Sequence, residues 1–220
     1  MQTYPLSQLT EETLDTLVTL HEADGDLEVW EEMWIALTSE ESIHLDYITS
    51  DAHRHHRTIM NEATIWGRAI YPLLRLAEQH RIVAWAGVPL KATYPAFELE
   101  GEADGALAPS VGGRIEPPYL VVHEAKRGVN APNPQFQLYG EMLAAAWLNW
   151  KKDAKAEQTI FGCYTITDDW TFVRGVVQEI ETEKPTIHIE FSPRYNGVLE
   201  AERIVQILKS IVAKYVSVGT

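Results

Sequence analysis

The sequence has a single cysteine, Cys163, among its 220 residues. One thiol excludes an internal disulfide framework and a cysteine-rich zinc site. No apolar run approaches the roughly 18 residues of a membrane span, and the first residues lack the basic and apolar segments of a signal peptide. We therefore expect a cytoplasmic protein that does not contact membranes.

Basic residues are scarce. Lysine and arginine total 18 against 32 aspartates and glutamates, so the formal net charge is −14. This balance argues against a passive nucleic-acid coat protein, which holds phosphates through cationic contacts, and against attraction to an anionic membrane. It does not exclude an enzyme whose metal ions supply positive charge locally. The sequence also lacks a glycine-rich phosphate loop, a G-x-S-x-G elbow and an H-E-x-x-H motif.

The first 50 residues are acidic and are predicted to form a helical N-terminal extension to an α/β domain over residues 51–220. Thr38 and Glu41 fit a capping box at a helix start. An acidic run over residues 22–32 carries one tryptophan, with a second close behind. It fits either a solvated helical face with packed tryptophans or a docking surface for a basic partner.

Hydrophobic periodicity predicts an α/β order for the rest of the chain. A long helix over residues 53–80 should be kinked or broken at Pro72. The basic cluster at residues 53–57 suits a helix start or a phosphate contact. The further predicted elements are strands at 82–86 and 94–99, a bend at 101–105, a loop at 109–118, a strand at 119–126, a helix at 135–150, strands at 159–166, 170–180 and 186–191, and a helix at 199–215. Strands and helices mixed in this way imply a sheet covered on both faces.

The strand over residues 119–126 is apolar in its first half and ends in Glu124-Ala125-Lys126. Alternation in a strand places the glutamate and the lysine on one face. His123 points to the other face, where we expect it to be packed. Charged groups are seldom placed on a buried sheet face without partners, so a carboxylate from a neighbouring strand and a divalent cation would satisfy them.

Asp104 is the carboxylate that we expect beside Glu124. Mg²⁺ takes oxygen ligands, usually one or two carboxylates together with water and substrate phosphate. Asp104 and Glu124 would hold the ion, which would activate a water and neutralise charge on the phosphate. Lys126 would orient the attacking water or offset charge on the scissile phosphate. The predicted reaction class is phosphodiester hydrolysis.

The pattern of Asp104, 19 intervening residues and Glu124-Ala125-Lys126 resembles the D-x(n)-E-x-K motif of the PD-(D/E)XK, or restriction-endonuclease-like, nuclease superfamily. The following helix carries Gln135 and Tyr139 as Q-x-x-x-Y, similar to the motif of RecB-like members. The residue before Asp104 is an alanine where family members often have proline. The resemblance covers roughly residues 55–166 and includes bacterial members of the superfamily.

The resemblance implies an α-β-β-β-α-β core with a mixed central sheet flanked by helices, followed here by a strand pair and a helix. It implies Mg²⁺ or Mn²⁺ as cofactor, with the Ala125 carbonyl as a further ligand. Glu62 matches the glutamate that the family carries on the preceding helix, and Gln135 and Tyr139 would lie near the substrate. The implied partner is nucleic acid, with DNA favoured over RNA, and a homodimer or another protein partner is compatible with the family.

Two alternatives remain open at this point. Glu124 and Lys126 fit an ordinary exposed pair at a strand end, with Asp104 as a turn residue before Gly105. The protein also fits a catalytically silent nuclease fold that acts as an interaction or accessory protein and docks through its acidic helices. The net charge of −14 favours this second alternative, because it opposes the approach of a polyanion.

Overall fold

The computed structural model describes residues 1–54, 60–126 and 133–218 of the chain. Within these ranges the strands are Gln2–Pro5 (β1), Thr19–Asp24 (β2), Ile82–Thr93 (β3), Phe97–Val111 (β4), Arg114–Ile115 (β5), Val121–Lys126 (β6), Glu157–Ile166 (β7), Asp169–Gln178 (β8) and Thr186–Asn196 (β9). The α-helices are Glu11–Leu17 (α1), Leu27–Glu31 (α2), Ser39–Arg54 (α3), Glu62–Ile65 (α4), Tyr71–Arg75 (α5), Gln135–Asp153 (α6) and Ala201–Val218 (α7). Among the described helices, none is long and apolar enough to cross a bilayer.

The described strands form one mixed sheet of nine strands. Its main path runs β1-β4-β6-β7-β8-β9-β2, while β3 and β5 also pair with β4. The pairing of β6 with β7 is parallel, and that of β4 with β6 is antiparallel. The prediction of an α/β fold built on a mixed sheet flanked by helices is therefore confirmed.

Two apolar clusters cover the two faces of this sheet. On one face, α6 packs through residues such as Leu138 and Met142. On the other face, α5 and α7 pack through residues such as Leu74 and Leu208. β6 is buried on both faces, which explains why its first half is apolar at consecutive positions.

The first 50 residues differ from the predicted helical extension. β1 pairs in parallel with β4, and β2 pairs in parallel with β9, so both strands belong to the main sheet. Helices do form here, as α1, α2 and most of α3, but the prediction missed the two strands. β1 and β2 are short and largely exposed, and therefore carry little hydrophobic alternation. The capping box is confirmed: Glu41 N–H donates to Thr38 Oγ1 at 3.2 Å, and Thr38 N–H donates to Glu41 Oε2 at 2.7 Å.

The segment expected to bend at residues 101–105 is the middle of the 15-residue strand β4, which also runs into the predicted loop. Its glycines serve close packing instead of a turn. A Cβ at Gly105 would overlap the Trp66 ring, and a Cβ at Gly101 would lie 2.8 Å from Leu6. Glycine in a strand can therefore mark the approach of another group as well as a chain reversal.

The predicted helix over residues 53–80 is replaced by α3 and by a separate helical segment over residues 62–75. That second segment contains a π turn, Trp66–Ile70, between α4 and α5. Tyr71 N–H donates to the Trp66 carbonyl, five residues back. The wider turn comes directly before Pro72, which lacks an N–H and would clash with the carbonyl four residues earlier. The basic cluster at residues 53–57 lies outside the described side chains.

Most of the later elements agree closely with the sequence prediction, although β9 runs five residues past its predicted end at residue 191. β6, β7 and β8 begin or end within two residues of their predicted bounds, and α6 extends three residues further than predicted. The two tryptophans of the acidic region behave differently, since Trp30 is buried and Trp34 is 59% exposed. The expectation that both tryptophans pack is therefore correct only for Trp30.

Candidate active site

Asp104 contacts β6 at the point where β4 and β6 separate. The antiparallel pairing of β4 with β6 ends at Gly105 and His123, so Asp104 and Glu124 come next in the same register. Asp104 Oδ2 accepts a hydrogen bond from Ala125 N–H at 2.7 Å. The Asp104 carboxylate thus takes the place of the β4 carbonyl that would accept this bond if the β4–β6 pairing continued. The bond holds Asp104 beside Glu124.

Glu124 and Lys126 share one face of β6, as alternation predicts. The Lys126 ammonium forms an ion pair with the Glu124 carboxylate. Glu124 is 1% exposed, so the pair is not an ordinary exposed strand-end pair. Asp104 lies within β4, so it is not a turn residue either. Both structural parts of the first alternative are therefore wrong.

Two residues of α6 that the sequence analysis missed complete the cluster. Gln137 Nε2 donates to Glu124 Oε2 at 2.7 Å and to Glu141 Oε1 at 3.1 Å. Lys126 Nζ donates to Gln137 Oε1 at 3.3 Å. Glu141 is fully buried, and its Oε2 has no hydrogen-bond partner among the described residues. A glutamate inside the apolar stretch over residues 138–146 was the available signal, because buried carboxylates are rare without a purpose.

Burial raises the carboxyl pKa values in this cluster. Burial, followed by the neighbouring charge of Asp104, raises the pKa of Glu124 to about 7. Burial and then the proximity of Glu124 raise the pKa of Glu141 well above its usual value. Burial also raises the pKa of Asp104, although the Ala125 N–H and the Lys126 charge oppose it. Three carboxyl groups thus share one ammonium, and the raised pKa values mean that protons take up part of the charge that Lys126 does not neutralise.

Lys126 remains the cation of the site. Burial alone would lower its pKa, but the hydrogen bond and charge of Glu124 outweigh burial and raise it. The side chain therefore carries a proton at neutral pH. A protonated lysine can donate hydrogen bonds and stabilise an anion, but it cannot accept a proton from water.

Gln135 and Tyr139 lie to one side of the carboxyl cluster. Gln135 Nε2 donates to the hydroxyl of Tyr164 at 3.4 Å, and Tyr164 is the register partner of Glu124 on β7. Tyr139 is fully buried, and its hydroxyl donates to Glu22 of β2. The α6 residue that bonds to Glu124 is Gln137, which lies between Gln135 and Tyr139 in the sequence. Gln135 instead bonds to β7, the neighbouring strand, and Tyr139 bonds to β2.

Glu62 is the first residue of α4, and the Asn61 side chain caps this helix by accepting from Thr64 N–H at 2.9 Å. The side chain is exposed. Its charge contributes to the raised pKa of Lys126, which places Glu62 within electrostatic range of the cluster. The four expected polar residues of the site, Asp104, Glu124, Lys126 and Glu62, are therefore electrostatically connected.

His123 lies on the opposite face of β6, packed as predicted. Its ring centroid is 5.3 Å from that of Trp66 and 5.2 Å from that of Trp170. Within the described residues, neither ring nitrogen has a hydrogen-bond partner. Burial lowers the pKa of His123 to about 3, so the imidazole is neutral at physiological pH.

The chemistry of the donor set determines which metal ions would suit the cluster. No group of three or more histidine, cysteine, aspartate or glutamate side chains in the described ranges is arranged to hold a metal ion. The donors are instead two carboxylates, Asp104 and Glu124, which follow the last register pair of β4 and β6. Two carboxylates are what Mg²⁺ or Mn²⁺ commonly takes from protein, the remaining ligands being water and substrate. The donor set therefore fits a hard divalent cation.

Comparison of the chain with protein-family models and with curated proteins finds no significant match. Functional inference for this protein therefore depends on the site itself.

Proposed function

We propose that the protein is a metal-dependent nuclease that hydrolyses phosphodiester bonds of nucleic acid, DNA in preference to RNA, in the cytoplasm. The observation that carries this proposal is the convergence of Asp104, Glu124 and Lys126 at one point of the sheet, where β4 and β6 separate. The order of α4–α5, the strands β3, β4 and β6, then α6 and β7, supports a restriction-endonuclease-like core.

The residues that would hold Mg²⁺ or Mn²⁺ are Asp104 and Glu124, together with the Ala125 carbonyl. The N–H and C=O of one strand residue leave the same edge of the strand, and the Ala125 N–H is directed to Asp104. The carbonyl of Ala125 therefore leaves β6 on the side where the aspartate lies. When bound, the ion would supply positive charge beside the scissile phosphate and lower the pKa of a nearby water.

The remaining side chains have separate roles in this proposal. Lys126 is protonated and would donate hydrogen bonds to the attacking water or to a phosphate oxygen. Gln137 orients the Glu124 carboxylate through its amide, and Glu62 adds negative charge near the lysine. Gln135, which donates to Tyr164 on the next strand, and Tyr139 would lie near the substrate in this proposal.

The decisive test is cleavage of labelled DNA and RNA by the full chain in Mn²⁺ or Mg²⁺. Glu124→Gln and Lys126→Met should each lower the cleavage rate by about 100-fold or more, because each removes a group that stabilises charge during the reaction. Glu183→Gln, an exposed carboxylate distant in sequence from the site, is the matched control and should cleave normally. Equal rates for wild type and both site variants would eliminate the proposal.

A second candidate function rests on a different surface. α2 and the residue Trp34 expose apolar side chains among acidic ones: Leu27 is 59% exposed and Val29 is 39% exposed. Such a surface suits a partner that is both basic and apolar, as expected for an accessory protein. A basic amphipathic peptide should then bind the wild type and lose affinity for Trp34→Ala. Equal affinity for the two proteins would remove this candidate.

A further inference from the structure

A cavity of about 670 Å³ lies between α3 and the helical segment over residues 62–75. Its volume is within the range of small-molecule sites, roughly 300–1,000 Å³. From α3 it is lined by His44, Tyr47 and Asp51, spaced by three and four residues. The cavity is distinct from the carboxyl cluster, since none of Asp104, Glu124 and Lys126 lines it.

The facing helical segment lines the cavity with the same spacing. Arg68, Tyr71 and Arg75 are separated by three and four residues, so they share one face of the helix. Each wall thus offers a tyrosine between two polar or charged residues. This is the usual composition of a ligand site, in which apolar walls carry a few polar groups that fix orientation.

The two walls are held together firmly through Asp51. Arg68 Nε and Nη2 donate to the two carboxylate oxygens of Asp51 at 3.0 and 2.8 Å, in a bidentate pair. The Tyr71 hydroxyl donates to the Ala84 carbonyl at 3.1 Å, which fixes the orientation of its ring. These contacts fix Arg68 and Tyr71 before any ligand binds, which reduces the entropic cost of binding on that wall.

Arg75 differs from Arg68. Its guanidinium forms no hydrogen bond or ion pair with another residue in the ranges 1–54, 60–126 and 133–218. Its guanidinium is exposed and lines the cavity together with His44. An arginine fork matches a carboxylate or phosphate, so this guanidinium suits an anionic ligand.

The π turn leaves room in the cavity. Gly67 lies in this turn and lines the cavity, and a Cβ placed on it would have no neighbouring atom within 4 Å. π turns inside helices are frequently found at functional sites. The open space beside Gly67 adjoins Tyr71 and so accommodates a ring.

We propose that this cavity binds a small organic anion, whose planar ring lies between Tyr47 and Tyr71 and whose carboxylate or phosphate pairs with Arg75. The inference does not depend on nuclease activity. An uncharged apolar ligand would leave Arg75 without a partner, and a cation would be repelled by Arg75, since Asp51 on the facing wall is already paired with Arg68.

Calorimetric titration of the full chain in phosphate-free buffer with EDTA tests the proposal with two probes. Adenosine monophosphate represents aromatic phosphates, and indole-3-carboxylate represents aromatic carboxylates. At least one probe should bind with a Kd below 1 mM. Arg75→Gln should weaken that binding by about tenfold or more, since it removes a charge-assisted contact. Gly67→Leu should do the same by filling the cavity.

Arg114→Gln removes an exposed arginine of β5 and is the matched control, which should bind like the wild type. Glu124→Gln should also bind normally, which separates this cavity from the carboxyl cluster. Melting temperatures verify that each variant is folded. If Gly67→Leu does not fold, the affinity of Arg75→Gln alone tests the proposal. Absence of binding for both probes, or equal affinity for wild type and Arg75→Gln, would overturn the proposal.

Discussion

The two faces of β6 treat buried titratable groups in opposite ways. On one face, His123 lies between Trp66 and Trp170, and burial keeps the imidazole neutral. On the other face, Glu124 meets carboxyl groups, an amide and a lysine, and burial raises its pKa towards neutrality. The aromatic face excludes charge, whereas the carboxyl face concentrates it. Only the second face therefore has chemistry that a cation or a phosphate could use.

These shifts also make opposite contributions to stability as pH changes. The pKa of His123 is lower in the folded than in the unfolded state, so the unfolded state binds the extra proton as pH falls below about 6.5. Its contribution to stability is therefore lost in acid. The pKa of Glu124 is higher in the folded state, so its contribution is present below about pH 4.5 and is lost as pH rises through about 7.

The largest expected change in the free energy of unfolding comes from removing a buried ring from the aromatic face. Trp170 is 2% exposed, and Trp170→Ala should lower the free energy of unfolding by about 3–5 kcal/mol through loss of packing. Trp34→Ala removes a tryptophan that is 59% exposed and should cost less than about 0.5 kcal/mol. Urea unfolding of both variants measures the difference. Equal losses would contradict the packing of Trp170 against His123.

A smaller effect is expected when the titratable group is removed from the aromatic face. His123→Leu keeps the volume but removes the imidazole, so it should abolish a loss of about 2 kcal/mol that wild type incurs between pH 7 and pH 5. Urea unfolding at the two pH values gives this difference. His44→Gln, at an exposed histidine, is the control and should retain the wild-type dependence. If His123→Leu lost as much stability as wild type between pH 7 and pH 5, His123 would not be the source of that loss.

The smallest effect is expected on the carboxyl face. Glu141→Gln supplies a neutral side chain that can still accept from Gln137, so it should stabilise the protein at pH 8 by about 1 kcal/mol or more. The sign follows from the raised pKa of Glu141, since its contribution to stability is lost as pH rises. Thermal unfolding at pH 8 and at pH 4 measures the gain. Destabilisation at pH 8 would show that the charged form of Glu141 is required.

The sequence predicted much of the sheet but little of its N-terminal part. β6, β7 and β8 carry strong hydrophobic patterns, so their positions could be read directly. β1 and β2 are exposed edge segments whose strand conformation depends on pairing with β4 and β9, which are distant in sequence. Local patterning cannot reveal such pairing.

The candidate site shows the same division. Alternation was sufficient to place Glu124 and Lys126 on one face, whereas Gln137 and Glu141 required the three-dimensional position of α6. Asp104 was predicted in the site but in a turn, because Gly105 was interpreted as a bend residue. The real reason for that glycine is the Trp66 ring, which arrives from a helix about 40 residues earlier in the chain.

Binding of Mn²⁺ to the full chain, measured by calorimetric titration, shows whether Asp104 and Glu124 form a metal site. We expect saturable binding by wild type and by Glu183→Gln, and loss of that binding in Asp104→Asn and in Glu124→Gln. Circular dichroism of the same samples verifies that the variants are folded. Identical isotherms for wild type and both site variants, or no binding by wild type, would contradict a metal site between β4 and β6.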